Sequence, residues 1–293
     1  MLRSVRIDQS TIEQFYDYLK YERGLRDKTI HHHIQWAKKI MRYTGGYPTR
    51  EKLLRFMHRY RNKSKYTLLN LYKFYRLFFL HFLNRPDLIE GIKVTWTLPA
   101  PARFYKITDE NVRAAFNELT ETWEKALYLF YATTGLRTSE ALEVTKDKVL
   151  WEYRAVIPGM DRETKRTGIT FFNEEAEAWL KKYLAERDDD DPRLFPISDR
   201  QLKKFIRKTK KQGITPKLLR KWHSTRLRIA GVPDSYVDVF HGRAPRSVLA
   251  KFYDVAGLEE LKRVYDSANL ALGVQIPHQK PSQSKEEKRE TTT

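Results

Sequence analysis

The 293-residue sequence contains no cysteine, which excludes disulfides, thiolate zinc sites and cysteine nucleophiles. It also lacks long apolar runs. The most hydrophobic stretch, YRLFFLHFLN over residues 75–84, is interrupted by Arg76 and His81 and is too short to span a bilayer. The opening MLRSVRIDQSTIEQF has no apolar core of the kind a secretion signal needs. Clustered carboxylates are missing too, and Glu140 and Asp147 are too isolated for a two-metal centre. His31, His32 and His33 are consecutive, so on a helix they face different directions and do not converge on one ion. No internal repeat is evident in residues 6–85. These absences imply a soluble cytoplasmic protein with no membrane partner.

What the chain has in excess is positive charge. There are 56 Lys and Arg against 37 Asp and Glu, a formal charge of +19. A surplus of this size favours a polyanionic partner, because each neutralised phosphate releases condensed counterions. With 41% hydrophobic residues, the length allows two domains with a core in each.

Residues 1–85 read as several short helices. Ser10 and Glu13 have capping-box spacing, and Ile12, Phe15, Tyr16 and Leu19 follow at helical intervals. A second helix runs from near Lys28 to Gly45-Gly46, and a third follows Pro48. A fourth, Tyr66 to Asn84, is apolar on more than one face and reads as the centre of a small bundle. Residues 86–106 contain three prolines and no helical period, which predicts a linker. Residues 107–275 form the second domain. Helices are expected over 108–120 and 122–134, followed by a turn at Gly135 and a helix from Thr138 or Ser139. The segments KVLWEYRAVIPG and GITFF predict a small antiparallel sheet, joined by the polar turn DRETKRT. A helix over 173–186 and mainly helical chain to about Leu272 complete the domain. Residues 276–293 are polar and predict a disordered tail. The fold class is thus mainly α with a small antiparallel β-sheet.

One helix carries a basic stripe. Arg200, Lys203, Lys204, Arg207, Lys208 and Lys211 recur at three- and four-residue steps, opposite Leu202, Phe205 and Ile206. The pattern points to phosphate contact. In the first domain Arg59, Arg61, Lys63 and Lys65 alternate with tyrosines and suit tracking of a DNA backbone. In TTGLRTSEAL, Arg137 follows a glycine turn and precedes a helix, where its guanidinium can offer forked donors to a phosphate. TPKLLRKWHSTRLRIAGVP places Lys217 and Arg220 on one helical face. FHGRAP with His241 and SVLAKFYD with Tyr253 follow.

GLRTSEAL, KLLR, HGR and the late tyrosine, in that order, resemble the catalytic domain of tyrosine recombinases (phage-type integrases). GRAPRSVLAKFY looks most like integrases of archaeal viruses and plasmids. The resemblance covers roughly residues 105–270, and the helical first half is only generically similar to the family's core-binding domain. It implies a clamp around double-stranded DNA and site-specific strand exchange, serving integration or excision of a mobile element. Arg137 and Arg220 would hold the scissile phosphate. Lys165, on the turn between two strands, would be general acid for the leaving 5′ hydroxyl. His241 would bind the phosphate or support the nucleophile. Tyr253 would attack phosphorus to give a 3′-phosphotyrosine, with no cofactor, ATP or metal. Self-association on DNA, as a tetramer on paired sites, follows from the same resemblance.

Departures from the family pattern leave alternatives. Lys217 stands where most members have the histidine of His-x-x-Arg, and His223 is either a structural residue or a DNA contact. Tyr265 rivals Tyr253 as nucleophile, although Leu258, Leu261 and Val264 around it favour packing. Arg166 adjoins Lys165. A non-catalytic DNA-binding protein on the same fold and a type IB topoisomerase-like relaxing enzyme are the other readings. The apolar face of a last helix around 258–271 is expected to dock on a neighbouring protomer.

Overall fold

The computed structural model describes residues 5–94, 107–158, 168–243 and 255–277. The chain divides into two compact units, Met1–Arg103 and Phe104–Thr293.

The first unit is helical. α1 (Gln9–Asp17) is capped by Asp8, whose carboxylate accepts the Thr11 backbone N–H at 3.0 Å. The cap is therefore Asp8 with Thr11, and Ser10 lies inside the first turn. An Asp two residues earlier offers a stronger, charged acceptor for the orphan N–H groups, and these bonds in turn hold its carboxyl below the usual range. The helix continues through a π turn, Tyr18–Glu22. α2 (Asp27–Thr44) ends at Gly45, and α3 (Arg50–His58) and α4 (Lys65–Tyr75) start on the hydroxyl caps Thr49 and Ser64. α4 runs on as a π-helical segment, Arg76–Phe82.

Phe15, Phe74, Tyr75, Phe78 and Phe79 are all fully buried, so α4 is the centre of this bundle. Phe15 meets Phe78 edge-on with ring centroids 4.7 Å apart. The Tyr75 hydroxyl donates to the Leu53 carbonyl at 2.9 Å. Order in this unit extends beyond the point where the helical period stops. A 3₁₀ turn, Pro86–Leu88, carries Leu88, Ile89 and Ile92 onto the same core.

In the second unit, α5 (Asp109–Asn117) and α6 (Thr122–Thr134) precede α7 (Thr138–Glu143). β1 (Val149–Leu150), β2 (Ala155–Val156) and β3 (Thr170–Phe171) make an antiparallel sheet in that order, pairing Val149 with Val156 and Ala155 with Phe171. Then come α8 (Glu174–Ala185), α9 (Asp199–Lys210), α10 (Pro216–Ile229), α11 (Asp234–Phe240) and α12 (Val255–Asp266). α6 is buried without a break from Ala126 to Thr134 and packs against α8 and α10. Among the described residues no helix is long and apolar enough to cross a membrane.

Part of the apolar face of α12 is covered within the chain. Leu261 and Tyr265 join Ala155, Phe171 and Phe240 in one buried cluster, while Leu258 and Val264 are only partly buried against it. The residues after α12 are not helical but form an extended strap. The Glu175 carboxylate accepts the backbone N–H groups of Leu272 and Val274 at 2.7 and 2.9 Å, and Trp179 Nε1 donates to the Gln275 carbonyl at 3.1 Å.

Removing Glu175 leaves two buried backbone donors unpaired. Glu175→Ala is expected to destabilise the second unit by roughly 2–4 kcal/mol. Urea unfolding followed by tryptophan fluorescence checks this, and an unchanged midpoint would show that the strap is not held by this carboxylate.

Candidate functional site

The site begins where α6 must stop. Gly135 has φ +61, the left-handed conformation that ends a helix at little cost only for glycine. Its N–H donates to the Tyr131 carbonyl at 3.1 Å. A Cβ on Gly135 would lie 2.6 Å from His223 Nδ1, so the close approach of α10 also demands glycine. Two residues on, Arg137 occupies the N-cap of α7 in extended conformation. Glu140, in the first turn, holds it twice: Oε2 accepts the Arg137 backbone N–H at 2.8 Å and Oε1 pairs with Arg137 Nη1 at 2.5 Å.

α10 brings the second arginine. Thr215 caps the helix, Pro216 sits at its first position, and Leu219, Trp222 and His223 form its buried side. Trp222 Nε1 donates to Asp109 at 2.8 Å, tying α10 to α5. Arg220 lies one turn before His223 with only 12% of its side chain exposed. Its Nη1 donates to the Gly135 carbonyl at 2.5 Å and its Nη2 to the His241 carbonyl at 2.6 Å. Glu140 Oε2 lies 3.8 Å from Arg220 Nη1, so one carboxylate faces both guanidiniums. Burial, then the adjacent Arg137 charge, pulls the Arg220 pKa down to about 10, with Glu140 opposing them. Arg220 therefore stays charged at neutral pH, as arginine does.

Beneath this pair lie two buried imidazoles. His223 Nδ1 and His241 Nε2 are 2.9 Å apart, and neither residue is exposed. Burial and then the Arg220 charge push the His223 pKa down to about 3. Burial, then His223 and Arg220, hold the His241 pKa far below the usual histidine range. Both rings are neutral at physiological pH, and the 2.9 Å contact is a hydrogen bond between one N–H and one lone pair.

The structure thus gathers Arg137, Arg220 and His241 of the residues singled out from sequence. Lys217 is exposed on α10, one turn before Arg220. Lys165 and Tyr253 lie outside the described residues. Tyr265 is 2% exposed and donates its hydroxyl to the Thr133 carbonyl at 2.9 Å. Burial raises its pKa well above the ordinary tyrosine value, so it is a packed and hydrogen-bonded core residue. Two site residues were not singled out for these roles. Glu140 carries a legible signal, a glutamate three residues after the N-cap. His223 carries none, because only the fold brings it against His241.

The basic surfaces differ from their linear pattern. Arg200, Lys203, Lys204 and Arg207 are exposed on α9. Lys208 is not part of that outward set: its Nζ lies 2.6 Å from Glu124 Oε2, and Glu124 is fully buried. Lys211 pairs with Glu118 at 3.1 Å, though more than half its side chain stays exposed. The stripe faces solvent only in part because carboxylates on preceding helices claim its last turn. In the first unit Arg59, Arg61, Lys63 and Lys65 are exposed around the α3–α4 turn, with Arg59 over the Tyr43 ring at 5.3 Å. A larger groove of about 1260 Å³ lies between α2 and α4. It is lined by Arg23, Arg26, Lys28, Lys39, Lys73 and Arg76, with His31, His32, His33 and His81 and no carboxylate. His32 accepts from Trp36 Nε1 at 3.1 Å, while His33 stacks on Phe74.

Residues 104–268 match the family described as archaeal phage integrase. Over 290 residues, 92% of this chain and 97% of the relative, the sequence is 25% identical to tyrosine recombinase XerA of Pyrococcus furiosus. The fold is similar to that of a λ integrase dimer bound to a COC′ core site. The TM-score is 0.59 at 14% identity, over 80% of this chain and 94% of that one. It is also similar to the Tn1549 transposon integrase in complex with transposon right end DNA. There the TM-score is 0.56 at 16% identity, over 86% and 98% of the two chains.

The neutral imidazole pair has a consequence for stability. The folded-state pKa of His223 is lowered from 6.5 to about 3, so between these values the unfolded chain binds a proton that the folded chain does not. Stability is present above pH 6.5 and is lost as pH falls toward 3. Urea midpoints across this range are expected to decline, less steeply in His223→Asn. An equally steep decline in that variant would show that carboxylates alone set the acid limit.

Proposed function

The chain belongs to the archaeal phage integrase family, and on that premise we propose that it is a site-specific recombinase that cuts and rejoins double-stranded DNA through Tyr253. The observation that carries this reading is the convergence of Arg137 and Arg220 on one small surface, balanced by the single carboxylate of Glu140. Two guanidiniums and one carboxylate leave a local surplus of positive charge on rigid donors. A tetrahedral phosphate, gaining charge as it becomes pentacoordinate, fits that surplus.

In the proposed reaction the Tyr253 oxygen attacks phosphorus and loses its proton to solvent or a neighbouring base. The bond from phosphorus to the 5′ oxygen breaks, and Lys165 supplies a proton to that leaving oxygen. Arg137 and Arg220 stabilise the charge on the non-bridging oxygens, and Lys217 adds a further donor from the exposed face of α10. A 5′ hydroxyl from a second duplex then attacks the 3′-phosphotyrosine and releases Tyr253. One phosphoester replaces another at each step, so neither ATP nor a metal is consumed. Exchange between duplexes requires several protomers, and a tetramer on paired sites supplies them. This reaction integrates or excises a mobile element.

DNA affinity in this reading comes from the exposed cations of α9 and from the carboxylate-free groove of the first unit. Both suit phosphate contacts, which position the duplex without reading its sequence.

Two experiments test the proposal. Incubated with supercoiled DNA without metal or ATP, wild type and Tyr265→Phe are expected to give a covalent protein–DNA adduct, and Tyr253→Phe none. An adduct lost only in Tyr265→Phe would move the nucleophile. None from a DNA-binding wild type would make the chain a non-catalytic binder. Separately, the triple variant Lys203→Ala, Lys204→Ala, Arg207→Ala should reduce the slope of log affinity against log salt by about 3. Lys208→Ala should leave that slope unchanged and cost about 3 kcal/mol of stability, because it strands buried Glu124. The reverse pattern would place Lys208, not its neighbours, on the phosphate.

A further inference from the structure

We propose that His223 is a positioning residue for Arg220, acting through the two carbonyls on which that guanidinium rests. The inference rests on the recombinase reading for its catalytic consequence but not for its geometry. Arg220 donates to the carbonyls of Gly135 and His241, which belong to segments far apart in sequence. His223 packs against both residues. Its Nδ1 shares a hydrogen bond with His241 Nε2 at 2.9 Å, and the same atom stands 2.6 Å from where a Cβ on Gly135 would be. One imidazole therefore packs against both residues whose carbonyls Arg220 uses.

The surroundings fix His223 itself. It is fully buried and stands one helical turn from Arg220 on α10. Its ring centroid lies 6.3 Å from that of Tyr265, which is anchored to Thr133 in the last turn of α6. A displaced His223 ring would release the His241 ring and open space under the Gly135 turn. Either change shifts a carbonyl that Arg220 uses, and a small misplacement of a phosphate-holding group is costly to rate.

This assigns His241 a supporting part. Its ring is buried and bonded to His223, and its carbonyl holds Arg220. Neither imidazole acts as the proton donor or acceptor of the reaction. The dyad orients the clamp, and proton transfer belongs to other groups.

The test compares His223→Asn, which can keep a polar atom near the Nδ1 position, with His223→Phe, which keeps an aromatic ring, larger than imidazole, and loses the bond. In ¹⁵N-arginine spectra of the full chain, wild type and His223→Asn are expected to show slowly exchanging Arg220 guanidinium protons, and His223→Phe to lose them. At a temperature where both variants are folded, and with DNA affinity unchanged, the rate of adduct formation should fall about 10- to 100-fold in His223→Phe and recover in His223→Asn. A DNA substrate with a 5′-bridging sulfur, whose leaving group needs no proton, should not rescue His223→Phe. Unchanged Arg220 protons in His223→Phe, or full rescue by the sulfur substrate, would overturn the proposal. If the Arg220 protons respond as stated while wild type forms no adduct, the positioning role stands and the recombinase reading fails.

Discussion

A buried guanidinium must find acceptors, and that requirement organises the second unit. Arg220 is mostly withdrawn from water, and leaving its N–H groups unpaired would cost more than most single contacts in the fold return. Its two carbonyl partners come from the end of α6 and the end of α11. Their satisfaction draws α6, α10 and α11 to one point. Glycine at 135 is what allows this, because a side chain there would collide with the α10 histidine. The turn that ends α6 and the site that α10 completes are therefore one structural event.

The electrostatics follow from the same crowding. Placing Arg137 near Arg220 is unfavourable in itself, and after burial it is the next cause that lowers the Arg220 pKa. Glu140 offsets the repulsion by facing both, and it also caps the helix from which Arg137 projects. A carboxylate so committed is held as a fixed counter-charge. The buried histidines beneath add dipoles but no charge, since burial and Arg220 keep them neutral. A positive surface on a neutral, rigid floor is pre-organised for an anion, because little has to reorient when one arrives.

The sequence made much of the scaffold legible. Periodicity found the long apolar helix of the first bundle, the α5–α6 pair and the glycine that ends α6. Alternation found the small sheet. Local patterns were less reliable where two candidates competed for one task. Ser10 matched a cap motif, yet Asp8 takes the role because its charged oxygen reaches the same backbone donors. The linear motifs located Arg137 and Arg220 but could not show that they share a carboxylate or that His223 stands under Gly135. Those relations join residues separated by most of the unit, and no spacing rule encodes them. Tyr265 illustrates the converse: its chemistry made it a rival nucleophile, its apolar neighbours already favoured packing, and its burial and bond to Thr133 assign it to the core.

Basic patterns in a sequence overcount surfaces for a related reason. A helical stripe reports where cations are, not which carboxylates other helices present to them. On α9, Lys208 meets Glu124 of α6, and Lys211 meets Glu118 just beyond α5. The first of these pairs involves a fully buried carboxylate, which would be costly to leave without its cation. Its structural effect is to fix the rotation of α9 against α6, with Phe205 packed inward beside it. Arg200, Lys203, Lys204 and Arg207 are then held outward on a helix that cannot roll. One cation drawn inward and one paired at the surface thus give the remaining four a defined direction, and phosphate contacts from cations so directed position a duplex as well as attract it.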